Sequence, residues 1–340
     1  MDKRHLKNFL PPGVVRTTPR HERGLALITA MLVVAIAATT AVYLSFNQQI
    51  WLRQAQNLSD RAQSDVVRAG GEEWAIIILE KDAKDAPQSD NLTEDWAKPL
   101  PLLPVESGQL TGKIYDAQAR FNINNLVNNN APSPQDAGIF RHLLESLKID
   151  PNLTEAVVDW IDADSETRPY GAEDIEYLQM KTPYRAANQL LQSVEELRLV
   201  RGFTPEIVEK LRPYITALPQ RTEININTAE KEVLGALFYT MPGAVEQILS
   251  TRPHKDTTAL TKIFPPSVTP PSYSLKSSFF EIEIETQFGH YQRATQALVQ
   301  RGVNGGATNV LWHRQRLPTK MTALGTATDE KPGAAPEGNI

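Results

Sequence analysis

The sequence contains no cysteine and lacks the common motifs of hydrolytic and nucleotide-dependent enzymes. The absence of cysteine excludes disulfide frameworks, thiol catalysis and cysteine-ligated zinc or iron–sulfur sites. The six histidines are scattered, and no two have the i, i+4 spacing that places metal ligands on one helical face. G-x-S-x-G and P-loop motifs are absent as well. We therefore expect a protein that is not an enzyme.

The chain also lacks an excess of basic residues, since 35 Lys and Arg stand against 40 Asp and Glu in 340 residues. Proteins that bind nucleic acid through bulk charge usually show such an excess. Hydrophobic residues make up 41% and charged residues 22% of the chain, which fits neither a disordered chain nor a multi-spanning membrane protein. The length allows about two folded domains.

The N-terminal segment combines a basic leader with one long apolar run. Residues 1–24 contain six Lys and Arg against two acidic residues, and no charge appears from Leu25 until Arg53. The run exceeds the roughly 20 apolar residues that span a bilayer. The positive-inside rule places residues 1–24 in the cytoplasm and the chain after about residue 47 on the other side.

A secretory signal peptide explains this segment less well, because the run is longer than an h-region of about 7–15 residues and no small-residue exit motif closes it. Arg23 and Gly24 stand directly before the run. This arrangement resembles a type IV prepilin signal. The resemblance implies cleavage by a prepilin peptidase between Gly24 and Leu25, with methylation of the new Leu25 amine. The alternative is a plain single-pass anchor.

An apolar helical face continues beyond the apolar run. Residues at spacings of three and four carry it, namely Trp51, Ala55, Leu58, Ala62, Val66 and Ala69. Gly70 and Gly71 would weaken the helix locally, and the pattern then resumes to about Asp82. An unbroken helix from Leu25 to Asp82 would be ~87 Å long.

The rest of the chain predicts strands on either side of a helical stretch. Residues 277–288, 291–302 and 309–316 predict an antiparallel meander with Gly-containing turns. Two earlier runs, 108–116 and 119–126, are also rich in β-formers and separated by a tight turn. Helical patterns fill about residues 131–265 between these groups. We predict an α+β fold in which a long N-terminal helix packs on an antiparallel β-sheet and a large all-α domain is inserted between strands.

The predicted domain organisation follows from these patterns. It consists of a leader (1–24), a transmembrane or fibre-core helix (25–46), the helix continuation with the first strands (47–130), the inserted α-helical domain (131–270), the remaining strands (271–317) and a disordered tail rich in Thr, Ala, Gly and Pro (318–340).

One segment carries an unusual density of carboxylates. Seven lie within 18 residues: Asp159, Asp162, Asp164, Glu166, Glu173, Asp174 and Glu176. With Asp162 in the first position of an EF-hand-like loop, Asp164 is third, Glu166 fifth and Glu173 twelfth, but Thr167 replaces the glycine of a true EF-hand.

Hard oxygen ligands on a loop between helices suit Ca²⁺ at extracellular concentrations. The candidate calcium ligands are Asp162, Asp164, Glu166, Glu173 and Asp174, with Asp162 and Glu173 as the leading pair. The alternative is a solvated acidic loop that caps helix starts.

Residues 226–238, followed by Met241-Pro242-Gly243, resemble the helix-hairpin-helix of competence DNA receptors, in which hairpin amides hold a DNA phosphate. Phosphate contacts need basic neighbours, whereas Glu230, Glu232 and Glu246 surround Lys231 here. We interpret the segment as a motif for protein packing and expect no nucleic-acid partner.

Taken together, the segments resemble the general secretion pathway protein K family, the largest minor pseudopilins of type II secretion systems. The resemblance is carried by Arg23-Gly24 with the apolar run, DAQARFNINNL (116–126), DWIDADSETRPYGAEDIEYL (159–178) and INTAEKEVLGALF (226–238). Most pilins carry a glutamate at the fifth mature position, whereas counting from Leu25 gives Thr29, and the K family is similar in lacking the acid. A glutamate in a membrane helix is costly unless the amine of a neighbouring subunit meets its charge, and a tip subunit has no such neighbour above it.

The resemblance implies a structural role. Proteins of this family cap the tip of a periplasmic pseudopilus and assemble with minor pseudopilins I and J, and we expect H as a further partner. The resemblance also implies a pilin-like fold and a calcium ion in the helical domain. It further implies an inner-membrane anchor with a periplasmic C-terminal domain, and a function in exporting folded proteins across the outer membrane. The alternative is a minor pilin of an adhesive or DNA-uptake type IV fibre.

Overall fold

The structure, a computed structural model, describes residues 20–258, 260–264, 270–302 and 306–318, with side chains from Gly24 onward. Most of the predicted leader and of the predicted tail therefore lies outside the described residues. The chain divides into two compact units, Met1–Ser59 and Asp60–Ile340.

Helix α1 (Arg20–Asp85) is a single 66-residue element that continues through Gly70 and Gly71. Its apolar N-terminal half is exposed, as shown by Leu25 at 70% and Phe46 at 63% exposure. Among the described residues, α1 is the one helix long and apolar enough to cross a membrane, with a mean hydropathy of 2.4 in its most apolar window. The long N-terminal helix expected from the sequence is thus present.

A five-stranded antiparallel sheet forms the framework of the second unit. Its strands are β1 (Leu100–Val105), β2 (Gly108–Asp116), β3 (Phe279–Phe288), β4 (Tyr291–Gln300) and β5 (Asn309–Arg316). They lie in sequence order in the sheet, with β2 beside β3 and Ile114 opposite Ile282. The predicted C-terminal meander is confirmed by the pairing of β3 with β4 and of β4 with β5.

Apolar and charged side chains alternate along β3, and α1 covers the apolar side of the sheet. Leu79 on α1 packs with Leu110 and Ile282 in one apolar cluster, while Glu281 and Glu283 alternate with the buried isoleucines of β3. Gly71 sits where a Cβ atom would lie 3.3 Å from the Leu110 side chain, so glycine allows the helix to approach the sheet closely.

The chain between β2 and β3 forms the helical insertion. It contains α2 (Pro134–Ser146), α3 (Leu153–Ile161), α4 (Asp174–Leu178), α5 (Pro205–Leu211), α6 (Lys231–Leu237) and α7 (Pro242–Thr251). These helices pack around one apolar core, which contains Phe140 of α2, Trp160 of α3 and Phe121. The predicted α+β fold, with helices inserted between neighbouring strands, is confirmed.

A buried carboxylate joins the insertion to the sheet. Asp116 ends β2, and its Oδ2 accepts hydrogen bonds from Thr228 Oγ (2.6 Å), Ser277 Oγ (2.7 Å) and Asn225 Nδ2 (3.0 Å). Burial raises the pKa of Asp116 to about 6, although the hydrogen bonds from Ser277 and Thr228 oppose the shift. The end of β2, the insertion and the chain entering β3 therefore meet at one side chain.

The predicted strand at 119–126 was wrong. A two-residue strand (Phe121–Asn122) lies between 3₁₀-helices Ala117–Ala119 and Ile123–Leu126, and it pairs in parallel with Ile215–Thr216. Asn122 Oδ1 accepts from the backbone N–H groups of Asn124 (3.2 Å) and Leu218 (3.1 Å). The side-chain amide of Asn122 thus binds backbone N–H groups that would otherwise pair with a neighbouring strand.

Three further elements differ from the sequence-based prediction. Residues 187–200 carry a helical pattern but form a 3₁₀-helix over Val194–Leu199, because the N–H groups of Leu191 and Gln192 bond to the side chains of Asn124 and Glu196. Pro99, Pro101 and Pro104 predict an irregular connection. The segment instead forms strand β1, since an edge strand tolerates proline. Helix α4 is too short to give a periodic signal.

The remaining described elements are short. They are strands Val127–Asn128 and Ala131–Pro132, which pair antiparallel, and 3₁₀-helices Asp95–Ala97 and Leu260–Lys262.

Candidate functional site

The acidic loop, defined here as residues 162–173, connects α3 to α4. Asp162 is the C-cap of α3 and Glu173 is the N-cap of α4, where its own N–H donates to Glu176 Oε2 at 2.9 Å. Because α3 is buried along most of its length, its end is fixed in the core of the insertion. The loop therefore begins and ends at anchored carboxylates.

The structure brings together three of the five predicted calcium ligands. Carboxylate oxygens of Asp162, Asp164 and Glu173 all lie within 4.8 Å of one another. Asp162 and Glu173 are buried, at 0% and 2% exposure, whereas Asp164 is exposed. The leading pair from the sequence, Asp162 and Glu173, thus lies together in this group.

Three oxygen atoms in this group are buried without a hydrogen-bond partner: Asp162 Oδ1, Glu173 Oε1 and Glu173 Oε2. Burial, together with the neighbouring carboxylates, raises the pKa of Glu173 to about 7. Burial also raises the pKa of Asp162, even though Arg168 favours its charged form. Unsatisfied, desolvated carboxylate oxygens around one point fit a hard divalent cation such as Ca²⁺.

Arg168 lies beside this group and pairs with two carboxylates. Its Nη1 donates to Asp159 Oδ1 at 2.7 Å and to Asp162 Oδ2 at 2.6 Å, and its backbone N–H donates to Asp159 Oδ2 at 3.1 Å. The sequence-based ligand set included Asp162 but omitted Arg168 and Asp159. A usable signal was present, because Asp159 and Asp162 are three residues apart on one helical face and Arg168 is the one basic residue in the loop.

The other two predicted ligands lie elsewhere. Glu166 is exposed, and its N–H donates to Asp164 Oδ1 at 2.9 Å. Asp174 pairs with Arg185 at 3.1 Å and accepts from the Ala186 N–H at 3.0 Å. The structure therefore gives both residues other interactions and does not group their carboxylates with those of Asp162 and Glu173.

The predicted processing site lies within α1. Gly24 and Leu25 are helical and exposed. Thr29 is exposed too, and its hydroxyl donates to the carbonyl oxygens of Leu25 at 3.1 Å and Ala26 at 3.0 Å. A threonine at this position satisfies its own hydrogen bond within the helix, as a glutamate could not.

A further part of α1 leaves apolar side chains exposed within the second unit. Val66, Trp74 and Ile77 are 72%, 43% and 53% exposed, whereas Leu79 on the same helix is fully buried against the sheet. We call these three residues the α1 stripe. Apolar side chains exposed on one helix make this a candidate surface for contact with another protein.

A second carboxylate group was not predicted from the sequence. Asp82 on α1, Asp90 and Glu94 lie together, and Arg301 pairs with Asp90 at 2.6 Å and with Asp82 at 3.1 Å. The arginine already supplies a cation, so this group fastens the end of α1 to the sheet. No sequence signal reveals it, because Arg301 is more than 200 residues away along the chain.

The predicted helix-hairpin-helix segment forms α6 and α7. Leu234 on α6 and Ile248 on α7 are fully buried in the core of the insertion, and Lys231 forms an ion pair with Glu246. The helix pair thus packs within the insertion, and its lysine is already matched by an acid.

Comparison with known proteins shows which family this chain resembles in sequence. The family model described as type II secretion system (T2SS), protein K matches residues 119–220. The type II secretion system protein K of Pseudomonas aeruginosa is 33% identical over 304 residues, covering 84% of this chain and 91% of that protein. The corresponding protein of Aeromonas hydrophila is 32% identical over 326 residues, covering 85% and 98%.

A solved structure shows the same fold. The crystal structure of the GspK-GspI-GspJ complex from the enterotoxigenic Escherichia coli type 2 secretion system matches with a TM-score of 0.66 and 25% sequence identity. The match covers 78% of this chain and 100% of that chain. By sequence and by fold, this chain belongs to the protein K family of minor pseudopilins of the type II secretion system.

Proposed function

We propose that this chain caps the tip of a type II secretion pseudopilus, assembles there with minor pseudopilins I, J and H, and supports export of folded proteins across the outer membrane. The observation that carries the proposal is the likeness to the E. coli GspK-GspI-GspJ complex, in which the match spans the whole of the related chain.

Two features of this chain support the tip position. The α1 stripe leaves one side of the helix free for helices of I and J. In the residues that the structure describes, the helical insertion adds six α-helices between β2 and β3, which enlarges the head beyond the sheet and α1. Thr29 adds a third argument, because it carries no charge that would need the amine of a subunit above it.

The assembly is tested by co-purifying the full-length chain in detergent with I and J. An Ile77→Arg substitution in the α1 stripe should abolish the complex, because it places a charge in an apolar interface. Leu199→Arg is the matched control, since Leu199 is 47% exposed on the insertion. Wild-type chain that fails to bind I and J would refute the proposed assembly, whereas retention by Ile77→Arg would exclude the α1 stripe as the interface.

We also propose that the acidic loop binds Ca²⁺ through Asp162 and Glu173, with Asp164 as a third ligand. The buried, unpartnered oxygens of Asp162 and Glu173 support this, because a bound cation would relieve their desolvation. Extracellular calcium modules bind at about 10⁻⁴–10⁻³ M. Isothermal titration calorimetry of the full-length chain should detect calcium binding that Asp162→Asn and Glu173→Gln abolish. Glu166→Gln in the same loop should leave it unchanged.

We further propose that a prepilin peptidase cleaves between Gly24 and Leu25, that Leu25 is then N-methylated, and that α1 anchors the head on the periplasmic side of the inner membrane. The length and exposed apolar surface of α1 support the anchoring. Mass spectrometry of the membrane-bound protein should find methylated Leu25 as the first residue. An intact leader would refute the processing.

The domain organisation predicted from the sequence becomes a proposal as well. The described α-helices α2–α7 fall within residues 131–270, and β3, β4 and β5 fall within 271–317. Limited proteolysis of the full-length chain should therefore cut near residues 131 and 270 before it cuts within α2–α7.

A further inference from the structure

The contacts of Arg168 connect the acidic loop to α3 at two carboxylates. A single nitrogen, Nη1, donates to Asp159 Oδ1 and to Asp162 Oδ2. Asp159 and Asp162 are both fully buried, so neither carboxylate has water to replace this donor. The guanidinium thus holds one oxygen of Asp162, and the other oxygen of Asp162 is the one without a partner.

Asp159 is fixed from its other side as well. Its Oδ2 accepts from the Arg168 N–H, and a Cβ atom at Gly171 would overlap this carboxylate. Glycine at position 171 therefore lets the loop close over Asp159. The contacts of Arg168 and Gly171 with Asp159 therefore restrain the side chains next to the proposed cation ligands.

We propose that Arg168 is a positioning residue of the cation site, which it serves by fixing Asp162 so that its free oxygen faces Glu173. This inference rests on the proposed calcium site. Residues that orient metal ligands through hydrogen bonds typically contribute about 10–100-fold to metal affinity.

A different role for Arg168 makes the opposite prediction. If the guanidinium only neutralised excess negative charge, its removal would increase the charge of the site and strengthen cation binding. If it positions Asp162, its removal lets the carboxylate rotate and weakens binding. The sign of the change in affinity therefore distinguishes the two roles.

The experiment measures calcium affinity of the full-length chain in detergent by isothermal titration calorimetry. Terbium luminescence, excited through the protein's tryptophans and displaced by calcium, gives a second measurement. The variants are Arg168→Gln, Arg168→Lys and Gly171→Ala, and the control is Arg198→Gln, which removes an exposed ion pair with Glu209 on the same insertion.

We expect Arg168→Gln and Gly171→Ala to weaken calcium binding about tenfold or more. Arg168→Lys should recover part of the loss, because its ammonium keeps the charge and can reach a carboxylate, and Arg198→Gln should match wild type. Near-UV circular dichroism at saturating calcium should be the same for all variants. Gly171→Ala decides the outcome if Arg168→Gln does not fold, since it displaces Asp159 without removing a charge.

Equal or tighter calcium binding by Arg168→Gln would overturn the positioning role and leave the calcium site intact. If wild type and Asp162→Asn show the same absence of calcium binding, the proposed site itself is refuted, and the role of Arg168 with it.

Discussion

The cluster of Asp82, Asp90 and Glu94 at the end of α1 should make the free energy of unfolding depend on pH. Replacing Asp82 by asparagine should remove the contribution of Asp82 to this dependence. Asp82 hydrogen-bonds to Asp90 and lies near Glu94 and Arg301. Burial first, and then the charges of Glu94 and Asp90, raise the pKa of Asp82 from 3.8 to about 7. The folded state therefore holds a proton that the unfolded chain releases near pH 4.

The sign of the effect follows from this difference in proton binding. Between about pH 4 and 7 the folded state binds one proton more than the unfolded state, so stability falls by up to ~1.4 kcal/mol per pH unit. Above the folded pKa of about 7 the contribution levels off. From pH 5 to pH 7 this single group should therefore remove about 2 kcal/mol of stability.

Asp82→Asn mimics the protonated acid, because its amide can donate to Asp90 and its carbonyl can accept from Arg301. We expect the free energy of unfolding of Asp82→Asn, relative to wild type, to increase by about 2 kcal/mol between pH 5 and pH 7. Other titrating groups, Asp116 and Glu173 among them, cancel in this difference. Asp85→Asn is the control, since Asp85 is exposed at the end of the same helix.

The assay is urea unfolding of the full-length chain in detergent at several pH values, followed by tryptophan fluorescence. Trp96 is buried beside this group and donates to Glu94 at 2.7 Å, so it reports on the region directly. A difference between Asp82→Asn and wild type that does not change with pH would refute the reasoning. So would a variant whose stability relative to wild type falls as pH rises.

Three further substitutions at buried residues, with Ile77→Ala as an exposed control, test the packing by urea unfolding. Leu79→Ala should cost about 3 kcal/mol because Leu79 is fully buried between α1 and the sheet, whereas Ile77→Ala, half-exposed on the same helix, should cost less than about 1. Asn124→Ala should cost about 2–3 kcal/mol, since it leaves two buried carbonyl groups and one N–H without their partner. Arg301→Met should cost about 3–5 kcal/mol by leaving Asp90 buried and unpaired. A cost below about 0.5 kcal/mol for any of the three buried residues would contradict the packing described.

Local periodicity was enough to predict the elements whose hydrogen bonds lie within the element or to a sequential neighbour. The apolar run and the helical face of α1 follow a period of 3.6, and the meander of β3, β4 and β5 follows a period of two. The proximity of Asp162 and Glu173 was also predictable, because both flank a short loop between helices. In each case the interacting residues are close in sequence.

Tertiary structure decided what depends on distant partners. The segment 119–126 has β-forming composition, but its asparagine amides bind backbone about 70–100 residues away, so it does not extend as a strand. Arg301 reaches Asp90 across 211 residues, and no local pattern indicates that pairing. The sequence determined the helix, the meander and the presence of an acidic loop, because these depend on side-chain period and spacing. The tertiary structure decides which carboxylates remain unpaired, because this depends on which of them lie next to an arginine side chain in the folded chain.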